Sequence, residues 1–366
     1  MSTVASSALF SPIRVGRSQL LHRVVLSPLT RNRANLKHEP NDLHVEYYKQ
    51  RASVPGTLLI TEATFIAAKA GGYPKPPGIW SEPQIAAWKK VTDAVHANGS
   101  FIYLQLWALG RTANAEILKS EGFDLVSAGD IALEDHEAPR PLSIEEIKEY
   151  QQLYATAASN AVHKAGFDGV EVHGANGYLV DQFLQTNTNN RTDEYGGSLE
   201  NRVRFGLEVV DAVVAAVGAD RTGIRLSPWS VFQGMRLPDP IPTFSHFVTR
   251  LRDEHPDLAY IHVVDHRVLG AVDNPDWDPV NESNQFLRDI WGDRPYIAAG
   301  GFQLENATET ADKQGGLVAF GRFFISNPDL PYRLKSGIAL NPYDRSTFYG
   351  SGPEGYIDYP FAKVAA

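Results

Sequence analysis

Cysteine is absent from all 366 residues, and that absence removes disulfides, thiolate zinc sites, iron–sulfur clusters and a cysteine nucleophile. Whatever chemistry the chain performs uses oxygen, nitrogen or a borrowed cofactor. Basic charge is also short. The 34 Lys and Arg against 43 Asp and Glu leave a formal charge of −9, which argues against a cationic face for nucleic acid or anionic lipid. No run approaches the ~18 apolar residues of a membrane span, and Met1 to Gly16 lacks a basic segment followed by a sustained apolar one. The expected setting is the cytoplasm, with neither membrane nor nucleic acid as partner. Asn-x-Ser/Thr triplets begin at Asn98, Asn281 and Asn306, and without a secretory signal they carry no weight.

The 43% apolar and 21% charged content suffices for a large buried core and excludes global disorder. No Pro/Ser linker, charge block or internal repeat marks a boundary, so residues 1–366 read as one domain. Short apolar runs alternate with helical patterns throughout. The strand candidates are Val24 to Leu26, Leu58 to Ile60, Phe101 to Leu106, Gly169 to Val172, Gly223 to Leu226, Tyr260 to Val264, Tyr296 to Ala298 and Leu317 to Phe320. Strand-then-helix alternation implies parallel strands, and eight such units imply an α/β fold closed as a single (β/α)8 TIM barrel. An open, doubly wound sheet is the competing architecture.

The clearest helix spans Leu199 to Val217, where Val203, Phe205, Val209, Val210 and Val213 recur at helical spacing behind the Gly196-Gly197-Ser198 turn. Ser143 and Glu146 spell a capping box that opens a helix expected to run to about Lys164. The long stretch from Arg111 to Pro141, an insertion after strand three, is either a lid or a decoration.

Barrel enzymes place chemistry at the carboxyl ends of their strands, and here most of the runs end in polar residues or glycine. Strand one leads into Ser27-Pro28-Leu29-Thr30, strand two into Thr61-Glu62-Ala63, and strand three carries Gln105 and Trp107. Strand four leads into His173-Gly174-Ala175-Asn176-Gly177-Tyr178, strand five contains Arg225, strand seven ends at Gly300-Gly301 and strand eight at Gly321-Arg322. Each has an ordinary explanation alone: a loop hydroxyl, a satisfied amide, a core histidine, a plain turn. Their shared position argues otherwise. Glycines after strands seven and eight let backbone N–H groups approach a phosphate, and Arg322 adds charge. A guanidinium inside an apolar strand needs an anionic or strongly accepting partner. For Arg225 that partner is either a core carboxylate such as Glu171 or a flavin pyrimidine ring, which gains negative charge on reduction. His173 and Asn176 offer two neighbouring donors, and the Tyr178 phenol ordinarily keeps its proton at neutral pH. That set suits polarising a carbonyl and protonating the adjacent carbon. It suits hydrolysis poorly, because no Ser–His–acid or Gly-x-Ser-x-Gly pattern accompanies it.

Two motifs fail on context. Gly350, Gly352 and Gly355 have dinucleotide-fingerprint spacing, but Pro353 interrupts the place where a helix must open and no βαβ unit can follow. His44-Val45-Glu46 matches half of a zinc-deaminase signature whose cysteine half is missing. Without a Rossmann unit, a nicotinamide cofactor must visit the substrate's own pocket, which implies ping-pong kinetics.

These residues resemble the old yellow enzyme family, in its eukaryotic, fungal-type branch. The most specific block is GVEVHGANGYLVDQFLQTNTNNRTDEYGGSLENR from Gly169 to Arg202, supported by SPLTRNRA from Ser27, GGYPKPPGIWSE from Gly71 and GRFFISNPDL from Gly321. The resemblance covers nearly the whole chain and implies bound FMN, reduced by NADPH with NADH as the second choice. It implies flavin contacts from Pro28, Leu29, Thr30, Ala63, Gln105 and Arg225, and phosphate contacts from Gly300, Gly301, Gly321 and Arg322. His173 and Asn176 would grip the carbonyl oxygen of a small unsaturated substrate and Tyr178 would deliver a proton. Trp107 would shape the pocket, closed by Phe348 and Tyr349. The implied activity is that of an ene-reductase, working as monomer or homodimer. A redox-neutral isomerase and a non-catalytic phenol- or quinone-binding flavoprotein are the alternatives. Thr30 stands where the bacterial thermostable branch has cysteine. The segment after Phe232 is short compared with yeast members, which puts the loop beside the pocket outside the resemblance.

Overall fold

A computed structural model describes residues 6–270 and 272–363. Its strands are β1 (Val24–Leu26), β2 (Leu58–Ile60), β3 (Phe101–Trp107), β4 (Gly169–Gly174), β5 (Thr222–Leu226), β6 (Tyr260–Val264), β7 (Tyr296–Ala299) and β8 (Leu317–Phe320). Each pairs in parallel with the next, and β8 returns to β1 through Val318 opposite Val24 and Ala319 opposite Val25. That last pairing closes the sheet and excludes the open architecture. All eight expected strands form, with ends shifted by at most a residue or two.

A helix follows each strand: α1 (Asp42–Arg51), α2 (Glu82–His96), α3 (Ile144–Ser159), α4 (Leu199–Val217), α5 (Ile241–Glu254), α6 (Gln285–Trp291), α7 (Leu304–Gln314) and α8 (Leu330–Ser336). Ser143 caps α3 reciprocally with Glu146, and a π-helical turn at Asn160–Lys164 carries it to the expected end. On α4, Val203, Phe205, Val209, Val210, Val213 and Val217 are buried against the barrel, each such side chain contributing about 1.5–3 kcal/mol when fully buried. Among the described residues no helix is long and apolar enough to cross a membrane.

Strand alternation sorts each run into two faces. Val24, Leu26, Leu59, Leu104, Leu106, Val170, Val172 and Ile224 face the helices, whereas Val25, Leu58, Ile60, Tyr103, Ile297 and Leu317 fill the barrel. The same inward parity, carried toward the carboxyl ends of β3 to β6, delivers Gln105, Trp107, Glu171, His173, Arg225 and His262. The barrel is thus apolar at its base and polar at its mouth.

The insertion between β3 and α3 contains a short helix, Ala115–Ser120, and two short strands, Val126–Ser127 and Arg140–Pro141. Its Leu118 and Leu125 pack in one cluster with Trp107 and Tyr178, so it backs the wall behind the barrel mouth. The Gly350 to Gly355 segment forms turns rather than a βαβ unit, and His44 is a buried capping residue of α1.

Candidate active site

A cavity of about 450 Å³ opens at the carboxyl end of the barrel, within the size range of small-molecule and cofactor sites. It brings together every residue that the resemblance assigned to flavin, phosphate or substrate: Pro28, Leu29 and Thr30 after β1, Ala63 after β2, Gln105 and Trp107 on β3, and His173, Asn176 and Tyr178 from β4 onward. Arg225, Gly300, Gly301, Gly321, Arg322, Phe348 and Tyr349 complete the set. Nothing from residues 111–141 lines it, which leaves the insertion in a supporting place.

His173 is buried, and its pKa is held well below the ordinary imidazole value by burial, with Arg225 and His262 acting in the same direction. The ring is neutral. A long contact of 3.4 Å has the Ala175 N–H donating to Nδ1, which leaves Nε2–H as the donor. Asn176 takes a left-handed backbone, φ 60°. Its N–H donates to Ser227 Oγ at 2.8 Å, and its carbonyl accepts from Gln233 Nε2 at 2.8 Å. Gly177 continues the turn at φ 79°, where a Cβ would meet Met235 Cγ at 2.8 Å. Burial pushes the Tyr178 phenol well above its ordinary pKa, so it stays protonated. Its ring sits edge-on to Trp107 and His173, with centroids 4.9 and 4.8 Å away.

On the adjoining strand β5, Arg225 stands in register beside His173 on β4 and His262 on β6. Burial lowers its pKa and the nearby Glu171 opposes that. Glu171 does not use its oxygens on Arg225: Oε1 accepts from Gln105 Nε2 at 2.7 Å and Oε2 pairs with His262 Nδ1 at 2.8 Å. The core-carboxylate explanation for Arg225 therefore holds only as attraction at a distance. The Arg225 Nε is buried without a hydrogen-bond partner.

At the other end of the cavity Gly300 adopts φ 106°, and a Cβ there would fall 2.6 Å from the Asp265 carbonyl oxygen. Only glycine fits this close approach to the Asp265 backbone. Arg322 lines the same end, ion-paired with Asp273 and donating to the Tyr343 hydroxyl at 3.2 Å.

Sequence reading missed several participants. Tyr73 and Phe232 also line the cavity. Phe348 is buried whereas Tyr349 is 60% exposed, and both are held by Arg31 and Arg33, whose guanidinium groups donate to the Phe348 carbonyl at 2.9 and 3.1 Å. Nothing local signals a contact across more than three hundred residues. Gln233, 57 residues from Asn176, was missed as well, as were the nearby Asp181 and Gln182, whose partners are backbone groups of the Gly177 turn.

A closed barrel with polar groups converging at the carboxyl ends of its strands has the arrangement of a barrel enzyme's site. A family model described as the NADH:flavin oxidoreductase / NADH oxidase family matches residues 8–341. The chain is 53% identical over 361 residues to chanoclavine-I aldehyde reductase fgaOx3 of Penicillium roqueforti, covering 97% of this chain and 96% of that protein. It is 51% identical over 374 residues to a Claviceps fusiformis protein named probable inactive dehydrogenase easA, covering 98% and 96%. The crystal structure of Old Yellow Enzyme from Pichia sp. AKU4542 superposes with a TM-score of 0.91 at 38% identity, covering 99% of this chain and 95% of that one. The chain belongs to the NADH:flavin oxidoreductase family and, within it, to the old yellow enzymes.

Proposed function

We propose that residues 1–366 form one FMN-dependent ene-reductase domain. It takes reducing equivalents from NADPH, or secondarily NADH, and reduces the carbon–carbon double bond of α,β-unsaturated aldehydes or ketones. The observation that carries this reading is the meeting of His173, Asn176 and Tyr178 with a buried, unpartnered Arg225 Nε in one cavity. The cavity suits a flavin: the buried Arg225 Nε lacks a partner that a pyrimidine edge would supply, and Gly300, Gly301, Gly321 and Arg322 line the end expected to take the phosphate.

FMN, when bound, supplies two-electron hydride transfer. Pro28, Leu29, Thr30, Ala63, Gln105 and Arg225 would hold its ring, and Gly300, Gly301, Gly321 and Arg322 its phosphate. His173, neutral with Nε2–H free to donate, and the Asn176 amide would hold the substrate's carbonyl oxygen and stabilise charge developing there. The Tyr178 phenol, kept protonated by burial, would give its proton to the α-carbon after hydride reaches the β-carbon. Trp107, Phe348 and Tyr349 would wall the pocket and exclude water. The presence of that phenol favours net reduction over redox-neutral isomerisation, and one NADPH consumed per product formed would distinguish the two.

The test is a visible spectrum of protein purified without added flavin, followed by anaerobic NADPH and then cyclohexenone. A yellow protein that bleaches and recovers its colour is expected. Colour that bleaches without recovering would point to a different acceptor, and failure to take up FMN would overturn the reading.

A further inference from the structure

Behind the cavity-lining Gln105 and Arg225 lies a buried pair, Glu171 and His262, that the reading above leaves unused. Register places Gln105 beside Glu171, and Arg225 beside His262. Glu171 and His262 are fully buried, and the carboxylate is bonded on one side to Gln105 and on the other to His262. Burial alone would push the Glu171 carboxyl up, yet His262, Arg225 and Gln105 reverse this and hold it below its ordinary value. Burial lowers the His262 pKa against the pull of Glu171. The barrel mouth thus brings the Glu171 carboxylate and the Arg225 guanidinium together, with His262, His173, Tyr178 and Tyr260 as titratable groups near them.

This arrangement has two consequences. Because Glu171 takes the Gln105 Nε2, the Gln105 carbonyl oxygen is left as the acceptor for a ring N–H in the cavity. Because Glu171 also stands near Arg225, part of the guanidinium's charge is already offset before any ligand arrives. We propose that Glu171, seated by His262, is a positioning residue for the flavin reading above, and that its charge sets the reduction potential of the bound ring. It does so by aligning Gln105 and by opposing the extra negative charge of the reduced form.

The sign follows from charge balance. Adding a hydride, two electrons and a proton, to neutral oxidised ring leaves one net negative charge. A fixed carboxylate nearby disfavours that form, so Glu171→Gln should favour it. The expected shift is at least about tenfold in the reduced-to-oxidised ratio at fixed potential, which for a two-electron couple is a rise of ~30 mV.

The experiment measures the midpoint potential of the FMN-loaded wild type, Glu171→Gln and Glu171→Asp by dye-coupled anaerobic titration. The glutamine variant should be more positive, and the aspartate variant, which keeps the charge, should return toward wild type. If Glu171→Gln does not fold, the double variant Glu171→Leu with His262→Leu replaces the buried polar pair by apolar groups, a change that cores often tolerate. It should shift in the same direction. A potential unchanged in every folded variant lacking the carboxylate would overturn this inference alone. A wild type unable to bind flavin would overturn it together with the flavin reading.

Discussion

Asp181 accepts the Gly177 N–H at 2.9 Å, while Gln182 beside it donates to the Gly177 carbonyl at 2.7 Å. Both sit on the short helix Leu179–Leu184 directly after Tyr178. The peptide units flanking Gly177 are thus held from both sides, and with them the left-handed turn that aims Asn176 and Tyr178. Misplacing a reacting group by about 1 Å can cost on the order of 100-fold in rate. Asp181→Ala should lower enone turnover about 10- to 100-fold while oxidised FMN binds with unchanged affinity. Stopped-flow oxidation of the reduced protein, paired with flavin titration, measures both. Loss of flavin affinity in proportion would show that the clamp serves the whole mouth rather than this turn.

Under the proposed function, Tyr178 would separate the two half-reactions: the phenol would play no part in accepting hydride from NADPH, but the proposed α-carbon protonation would need it. Tyr178→Phe should leave anaerobic bleaching by NADPH within about threefold and slow recovery with cyclohexenone by 100-fold or more, the usual scale of general-acid contributions. Equal slowing of both half-reactions would remove Tyr178 as the specific donor.

The barrel was legible because eight short apolar runs alternate with helical patterns and because Gly and polar residues gather at the strand ends. His173, Arg225 and Gln105 stood out as polar residues within or just after apolar runs. The second tier was not legible. Glu171 was visible as a neighbour for Arg225, but its actual partners lie on β3 and β6, and pairing across strands leaves no mark in one sequence. Arg31 and Arg33 sit in a block that matched the family, yet their acceptors are backbone carbonyls, which carry no residue identity.

Those acceptors lead to a third expectation. Arg33 donates from Nε to Gly352 at 2.8 Å and from Nη2 to Thr347 and Glu354 at 3.0 Å each, besides Phe348. Its guanidinium also lies over the Tyr356 ring, 4.3 Å from the centroid. Arg33→Met would remove bonds to the buried Arg31 and Phe348 carbonyls and to the partly exposed carbonyls of Thr347, Gly352 and Glu354, at a stability cost of about 1–3 kcal/mol. It would also loosen the segment carrying Phe348 and Tyr349. The Michaelis constant for enones should rise several-fold with a smaller change in kcat. A selective fall in kcat at constant KM would contradict a pocket-closing role.

Glu62 provides a pH test. Burial raises its pKa from the ordinary 4.5 to about 7, against the opposing influence of Arg31 and Arg33. A carboxyl with a raised pKa binds its proton more tightly folded than unfolded. Its contribution is therefore fully present below pH ~4.5 and lost as pH rises to about 7. Glu62→Gln cannot titrate. Relative to wild type it should gain stability progressively across that window, on the order of 3 kcal/mol in all. Urea unfolding from pH 5 to 8 reads the difference, and a gap independent of pH would mean that Glu62 keeps an ordinary pKa.

Arg322 is paired with Asp273, a carboxylate whose side chain is 69% exposed. A phosphate bound at Gly321 and Arg322 must compete with that carboxylate and is repelled by it. Exposed ion pairs are worth only ~0.2–1 kcal/mol, so Asp273→Asn should tighten FMN binding by about two- to fivefold. The gain should shrink as salt screens the charges. Riboflavin, which has the same ring without the phosphate, provides the control because its affinity should not move. Flavin fluorescence quenching measures both ligands on the same protein. Equal tightening of FMN and riboflavin would place the effect at the ring and not at Arg322, and weaker FMN binding would mean that Asp273 orients the arginine for phosphate instead of occupying it.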